Sequence, residues 1–180
     1  MADAGCATVR CPLHRRSTVS DMFRTLIRRV APLVGAVLLT TACGSDATPD
    51  IPSNPAVETY AASLGVNIAQ MTRKSDNLFI QDLVVGTGAE AIAGRSMDVH
   101  YTGYFINGNR FETSVGRTPI NLTLGIGQVI PGWDQGLAGM KVGGRRKLVI
   151  GSALAYGRGG SGSIPPNTTL VFDVELVTVR

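Results

Sequence analysis

Residues 97–106 read Met-Asp-Val-His-Tyr-Thr-Gly-Tyr-Phe-Ile and run directly into Asn107-Gly108. Met97, Val99, Tyr101 and Phe105 fall on alternate positions. Side chains two apart along an extended chain share a face, so this stretch predicts a strand with one apolar side. Asn-Gly is a strong short-range signal for a tight hairpin turn, because both residues tolerate the positive φ that such a turn requires. A partner strand is therefore expected to start near Arg110 and Phe111.

Outward from this hairpin the same period recurs. Leu78 to Val85 reads as a strand closed by Gly86-Thr87-Gly88, and residues 119–124, 148–150 and 170–176 supply three more. In the last of these Leu170, Phe172, Val174 and Leu176 face inward. A single short helix interrupts the series at Pro131, whose fixed φ suits a first helical turn, and it places Trp133 and Leu137 on one face. The fold class is α+β: a five- to six-stranded antiparallel sheet curled round one short helix. Apolar residues scattered between Val57 and Arg73 predict an N-terminal extension over 58–75, a helical turn and then an extra strand, packing on a domain over 76–180.

At 180 residues and 44% hydrophobic, the chain suffices for one core with appendages. The net charge of +4 arises entirely in residues 1–42, which hold six Arg and two Asp; eleven Lys/Arg against eleven Asp/Glu remain beyond them. A neutral body lacks the clustered positive charge that displaces phosphate counterions, so no nucleic-acid partner is expected. Arg145-Arg146-Lys147 reads as the solvated start of a strand. All three cysteines lie at or before residue 43, and Cys6, Cys11 and His14 lack a fourth ligand, so neither a metal nor a cofactor is expected.

From Met22 the chain sets Arg24, Arg28 and Arg29 before an uncharged apolar stretch, residues 30–42, ending in small residues. That is the layout of a signal peptide over 1–42, with Met22 as the expected true start. As a helix the stretch spans about 20 Å, short of the roughly 30 Å of a bilayer's hydrocarbon core. Leu38-Leu39-Thr40-Thr41-Ala42-Cys43 resembles a bacterial lipoprotein box, which implies lipidation of Cys43, although Thr40-x-Ala42 also suits an ordinary signal peptidase. Residues 43–57, rich in Pro, Ser, Asp and Gly, read as a flexible tether. The expected product is an exported, membrane-anchored lipoprotein, periplasmic or on the cell surface.

With the elements placed, the strings VHYTGYF (99–105), RFETS (110–114), LGIGQVIPGWDQGLAGMKVGG (124–144), AYG (155–157) and IPPNTTLVFDVEL (164–176) stand in order. Together they resemble the FKBP family of macrolide-binding prolyl isomerases, over residues 76–180 and without the flap domain that chaperone-type members insert between the positions of Val129 and Tyr156. The resemblance implies a pocket floored by Trp133, walled by Tyr101, Phe111, Ile120, Val129, Ile130, Ile164 and Phe172, and rimmed by Tyr156. It also implies that the Ile130 N–H and the Tyr156 hydroxyl hold the carbonyls flanking the proline ring. Glu112 stands where the family typically has aspartate, and Ile120 where an aromatic is common.

Such a pocket needs no nucleophile or metal. The barrier to rotation about a peptide bond, about 18–20 kcal/mol, comes from delocalisation of the nitrogen lone pair into the carbonyl. Twisting the bond removes that delocalisation and lowers the charge on oxygen, so a water-excluding apolar cavity favours the twisted state over the planar one. His100, opposite Tyr101 on the strand, reads as structural, bonding to backbone carbonyls on the far face. Residues 157–163 lack the Gly-Lys-Ser/Thr ending of a phosphate loop and read as a flexible lip over the pocket. The expected function is prolyl isomerisation that assists the folding of exported proteins, with proline-containing or unfolded polypeptides as partners and macrolides as inhibitors. The alternative is a non-catalytic chaperone or peptide-binding module on the same scaffold.

Overall fold

The computed structural model describes residues 52–180. The signal peptide over 1–42, the Met22 start, Cys6, Cys11, His14, the lipidation at Cys43 and most of the tether lie outside the described residues. Seven antiparallel strands make one sheet: β1 (Thr72–Ser75), β2 (Leu78–Val84), β3 (Ser96–Phe105), β4 (Arg110–Thr113), β5 (Ile120–Thr123), β6 (Arg145–Ile150) and β7 (Leu170–Val179). Their order is β1-β2-β6-β7-β3-β4, with β5 also pairing with β3. Among the described residues the α+β class and one short α-helix, α1 (Pro131–Gly136), are as the sequence predicts. The strand count exceeds the predicted five to six, because the extension contributes β1, paired with the start of β2.

Two clusters occupy the two faces of the sheet. On one, Leu78, Met97, Val99, Leu122, Trp133, Leu137, Leu148, Ile150, Leu170, Phe172, Val174 and Leu176 form the main core beneath α1. On the other, Val149 and Val171 meet Phe79, Leu64 and Met71, with Tyr60, Ala61, Val66 and Ile68 of the extension laid over them. The extension is built from two 3-10 turns, Ala62–Leu64 and Ile68–Gln70, before β1. Docking begins before the extension: Pro55 is buried and Ser53 bonds Ser152, so residues read as tether are already packed.

In the basic run at the start of β6, Arg145 is exposed but Arg146 and Lys147 are buried rather than solvated. Arg146 and Lys147 are 6% and 5% exposed. Arg146 holds Asp82 through Nε at 2.6 Å and Nη2 at 3.1 Å, and its Nη1 donates to the carbonyls of Gly136 and Ala138 at 2.8 and 3.1 Å. It thus satisfies two carbonyls at the C-terminal end of α1, where the unpaired peptide oxygens favour a cation. Lys147 pairs on the opposite face with Asp173, its cross-strand neighbour. A buried cation needs such partners, and run composition alone does not disclose them.

Candidate active site

The hairpin that decides the fold also shapes the site. Gly108 takes a φ of 88°, its N–H donating to the Phe105 carbonyl at 2.9 Å. The ladder then pairs Thr102 with Thr113 and Gly103 with Glu112, but Tyr104 with Arg110, so Phe111 is the extra residue of a β-bulge. In a regular strand Phe111 and Glu112 would point to opposite faces. The bulge turns both toward one cavity, a use of bulges that recurs beside active sites. Gly103 makes the room: a Cβ there would lie 2.5 Å from Phe111 Cζ.

The cavity has a volume of about 410 Å³. Trp133 in α1 meets Tyr101 edge to face at 5.1 Å between centroids and Phe172 at 5.4 Å, while Phe111 meets Phe172 at 5.8 Å. Edge-to-face pairs are worth about 0.5–1.5 kcal/mol each beyond the area they bury. Locked rings keep their shape when the cavity fills. The loop from β5 to α1 supplies Gln128, Val129 and Ile130 to the wall, and Asp134 braces it by accepting from the Gly125 and Gly127 N–H groups at 2.8 and 3.1 Å. The Gln128 side-chain Oε1 accepts from Thr123 N–H at 2.6 Å, tying the loop to β5.

Among known proteins, residues 88–177 match the model of the family described as FKBP-type peptidyl-prolyl cis-trans isomerase. The chain belongs to that family. An FK506-binding protein of Neisseria meningitidis serogroup A is 53% identical over 57% of this chain and 96% of its own length. The peptidyl-prolyl cis-trans isomerase FKBP15-3 of Arabidopsis thaliana is 44% identical over 69% of this chain and 87% of its own. A solved structure, that of AtFKBP13, aligns with a TM-score of 0.58 and 37% identity, covering 62% of this chain and 99% of that one. The chain is a peptidyl-prolyl cis-trans isomerase.

Within this FKBP-type domain the structure gathers Tyr101, Phe111, Glu112, Ile120, Val129, Ile130, Trp133, Tyr156 and Phe172 round the one cavity. Ile164 does not line it; its side chain is packed into the main core. Residues 157–163 also stand away from the cavity lining, and their loop closes on itself through paired Ser161 and Ile164 main-chain bonds at 3.0 and 2.8 Å. Gly127 and Gln128 line the wall without having been expected, although both lie inside the 124–144 string.

Burial, and then a hydrogen bond to Glu112 and its charge, push the Tyr101 hydroxyl up to about 12. Glu112 and the Tyr101 ring thus share one wall of the cavity. Burial, followed by the charge of Glu112, also raises Tyr156, so both phenols stay protonated donors at physiological pH. Behind the cavity, Ser114 replaces a ladder partner where β4 ends: its Oγ accepts from Tyr101 N–H at 2.9 Å, while its own N–H donates to the Tyr101 carbonyl at 3.0 Å. His100 places Nδ1 3.3 Å from the same Oγ, so it meets a serine hydroxyl rather than the backbone carbonyls expected of it. Among the described residues no cluster of three His, Cys, Asp or Glu side chains is placed to hold a metal ion.

Proposed function

We propose that the protein isomerises X-Pro bonds of exported polypeptides in the aromatic cavity, held at a membrane outside the cytoplasm by a lipid on Cys43. The observation that carries the site assignment is the interlocked Tyr101, Phe111, Trp133 and Phe172 set round a cavity of about 410 Å³, within the usual range for small-ligand sites. In this reading Trp133, Phe111 and Phe172 grip the pyrrolidine ring. Ile120 and Val129 contact the flanking chain, and the Ile130 N–H and Tyr156 hydroxyl hold the carbonyls on either side. Glu112, beside Tyr101 in the wall, keeps the Tyr101 hydroxyl protonated. Desolvation of the amide and fixing of both flanks lower the twisted state relative to the planar one. Because the gain comes from desolvation and positioning and no proton is transferred, the activity is expected to be flat with pH from about 6 to 8.

The relatives named as FK506-binding proteins support a macrolide of that kind as a competitive ligand. The apolar segment before Cys43 supports export and lipidation. Exchange of an X-Pro peptide, followed with and without FK506, tests the site: acceleration abolished by the macrolide is expected, and acceleration indifferent to it contradicts the assignment. Metabolic labelling with a radioactive fatty acid tests the anchor, since label retained after Cys43→Ser overturns it.

A further inference from the structure

Tyr156 rises from a turn held chiefly by Ser152, with the Asn167 N–H donating to the Gly157 carbonyl at 2.9 Å as its other main-chain tie. Ser152, 1% exposed, follows β6, and its carbonyl accepts from the N–H groups of Ala155 at 3.0 Å and Gly157 at 2.8 Å. These are the two residues flanking Tyr156. The remaining polar atoms of Ser152 are held from 99 residues away: its N–H donates to Ser53 Oγ at 2.7 Å, and its Oγ accepts from Ser53 N–H at 3.2 Å. Around this reciprocal pair the N-terminal segment is seated closely. A Cβ at Gly151 would lie 2.9 Å from Pro55 Cδ, the Tyr60 hydroxyl donates to the Pro55 carbonyl at 2.7 Å, and Thr169 Oγ1 donates to Glu58 Oε1 at 2.9 Å.

We infer that Ser53, which lies outside the family-matched residues 88–177, is a positioning residue for Tyr156. The inference rests on the role given above to the Tyr156 hydroxyl. A donor acts on a substrate carbonyl only within about 2.6–3.2 Å, and displacement by an ångström at such a site is felt as a large rate loss. By fixing the amide and hydroxyl of Ser152, Ser53 fixes the carbonyl from which both neighbours of Tyr156 are suspended. The segment preceding the catalytic domain is thereby part of its machinery, although it touches no substrate.

The test is a double-mutant cycle on the full chain, with X-Pro peptide exchange and a Trp133 fluorescence melt as readouts. Ser53→Ala is expected to lower kcat/KM about fivefold, the size of one lost hydrogen bond, and Ser53→Thr, which keeps the hydroxyl, to restore it. In a Tyr156→Phe background Ser53→Ala is expected to cause no further loss of rate, while its shift in Tm is the same in both backgrounds. Losses that multiply in the double variant, or Ser53→Ala at the wild-type rate beside a slow Tyr156→Phe, overturn the positioning role alone. Tyr156→Phe at the wild-type rate overturns instead the reading of Tyr156 on which it rests.

Discussion

Strands β6 and β7 are buried on both faces, and the two faces are finished differently. Toward the extension, Val149 and Val171 meet Phe79, Leu64 and Met71 and are covered by Tyr60 and its neighbours. Toward the helix, Leu148, Ile150, Leu170 and Val174 pack as fully, but at Phe172 the packing stops and an open cavity takes over. Each ring edge left facing that cavity forgoes the dispersion contacts that filling it would give. The same two strands therefore supply stability from one side and a binding surface from the other. The extension lets them do so, because a back face sealed by it does not rely on the front for burial.

Substitutions chosen to strike one face and spare the other test this division, and among the strand positions the largest effect is expected at Gly103. An added methyl there meets the Phe111 ring at 2.5 Å, in a wall closed by Phe105 and Phe172. Gly103→Ala is expected to cost about 1–3 kcal/mol as an overpacked site and to slow X-Pro exchange at least tenfold. A variant with full activity contradicts the placement of Phe111. Next is the sealed face: Val149→Ala, at a position with no exposure, should cost about 2 kcal/mol in urea unfolding. Its kcat/KM should stay within about twofold of wild type, since the lost methyls face the extension. A loss of rate matching the loss of stability would show that the faces are not separable.

The smallest effect is electrostatic. Tyr101 is raised to about 12 by burial and by Glu112, so its proton is held more tightly folded than unfolded. The stability this contributes is fully present below about pH 10, the ordinary tyrosine value, and is lost as pH rises through about 12. Tyr60 and Tyr156 are raised as well and share in that alkaline loss. Tyr101→Phe should unfold less steeply with pH between those limits, as measured by chemical denaturation at successive pH values. An unchanged slope would place Tyr101 outside the desolvated wall.

Much of this was legible in the residues. Alternation along 97–106, the Asn107-Gly108 turn and Pro131 located the hairpin and the helix, because period-two burial and turn chemistry are local. What escaped was relational. The bulge that brings Phe111 and Glu112 to one cavity depends on cross-strand pairing, and its one sequence trace is Gly103, too small to hinder the ring. Ile164 sits in a motif beside the pocket, yet its side chain turns into the core. Arg146 and Lys147 looked like a solvated run, since Asp82 and Asp173, which neutralise them, lie 64 and 26 residues away. Ser53 belonged to a segment with no apolar period, and its partner is also a serine.

The central claim is that the aromatic cavity lowers the barrier to prolyl rotation by shape and desolvation. It is tested most directly by NMR exchange spectroscopy of an X-Pro peptide with micromolar wild-type protein and with Trp133→Ala, the fold of each verified by its far-UV circular dichroism. Clear acceleration by the wild type, lost by about a hundredfold or more in a folded Trp133→Ala, is the predicted result. Equal acceleration by both proteins would contradict the account.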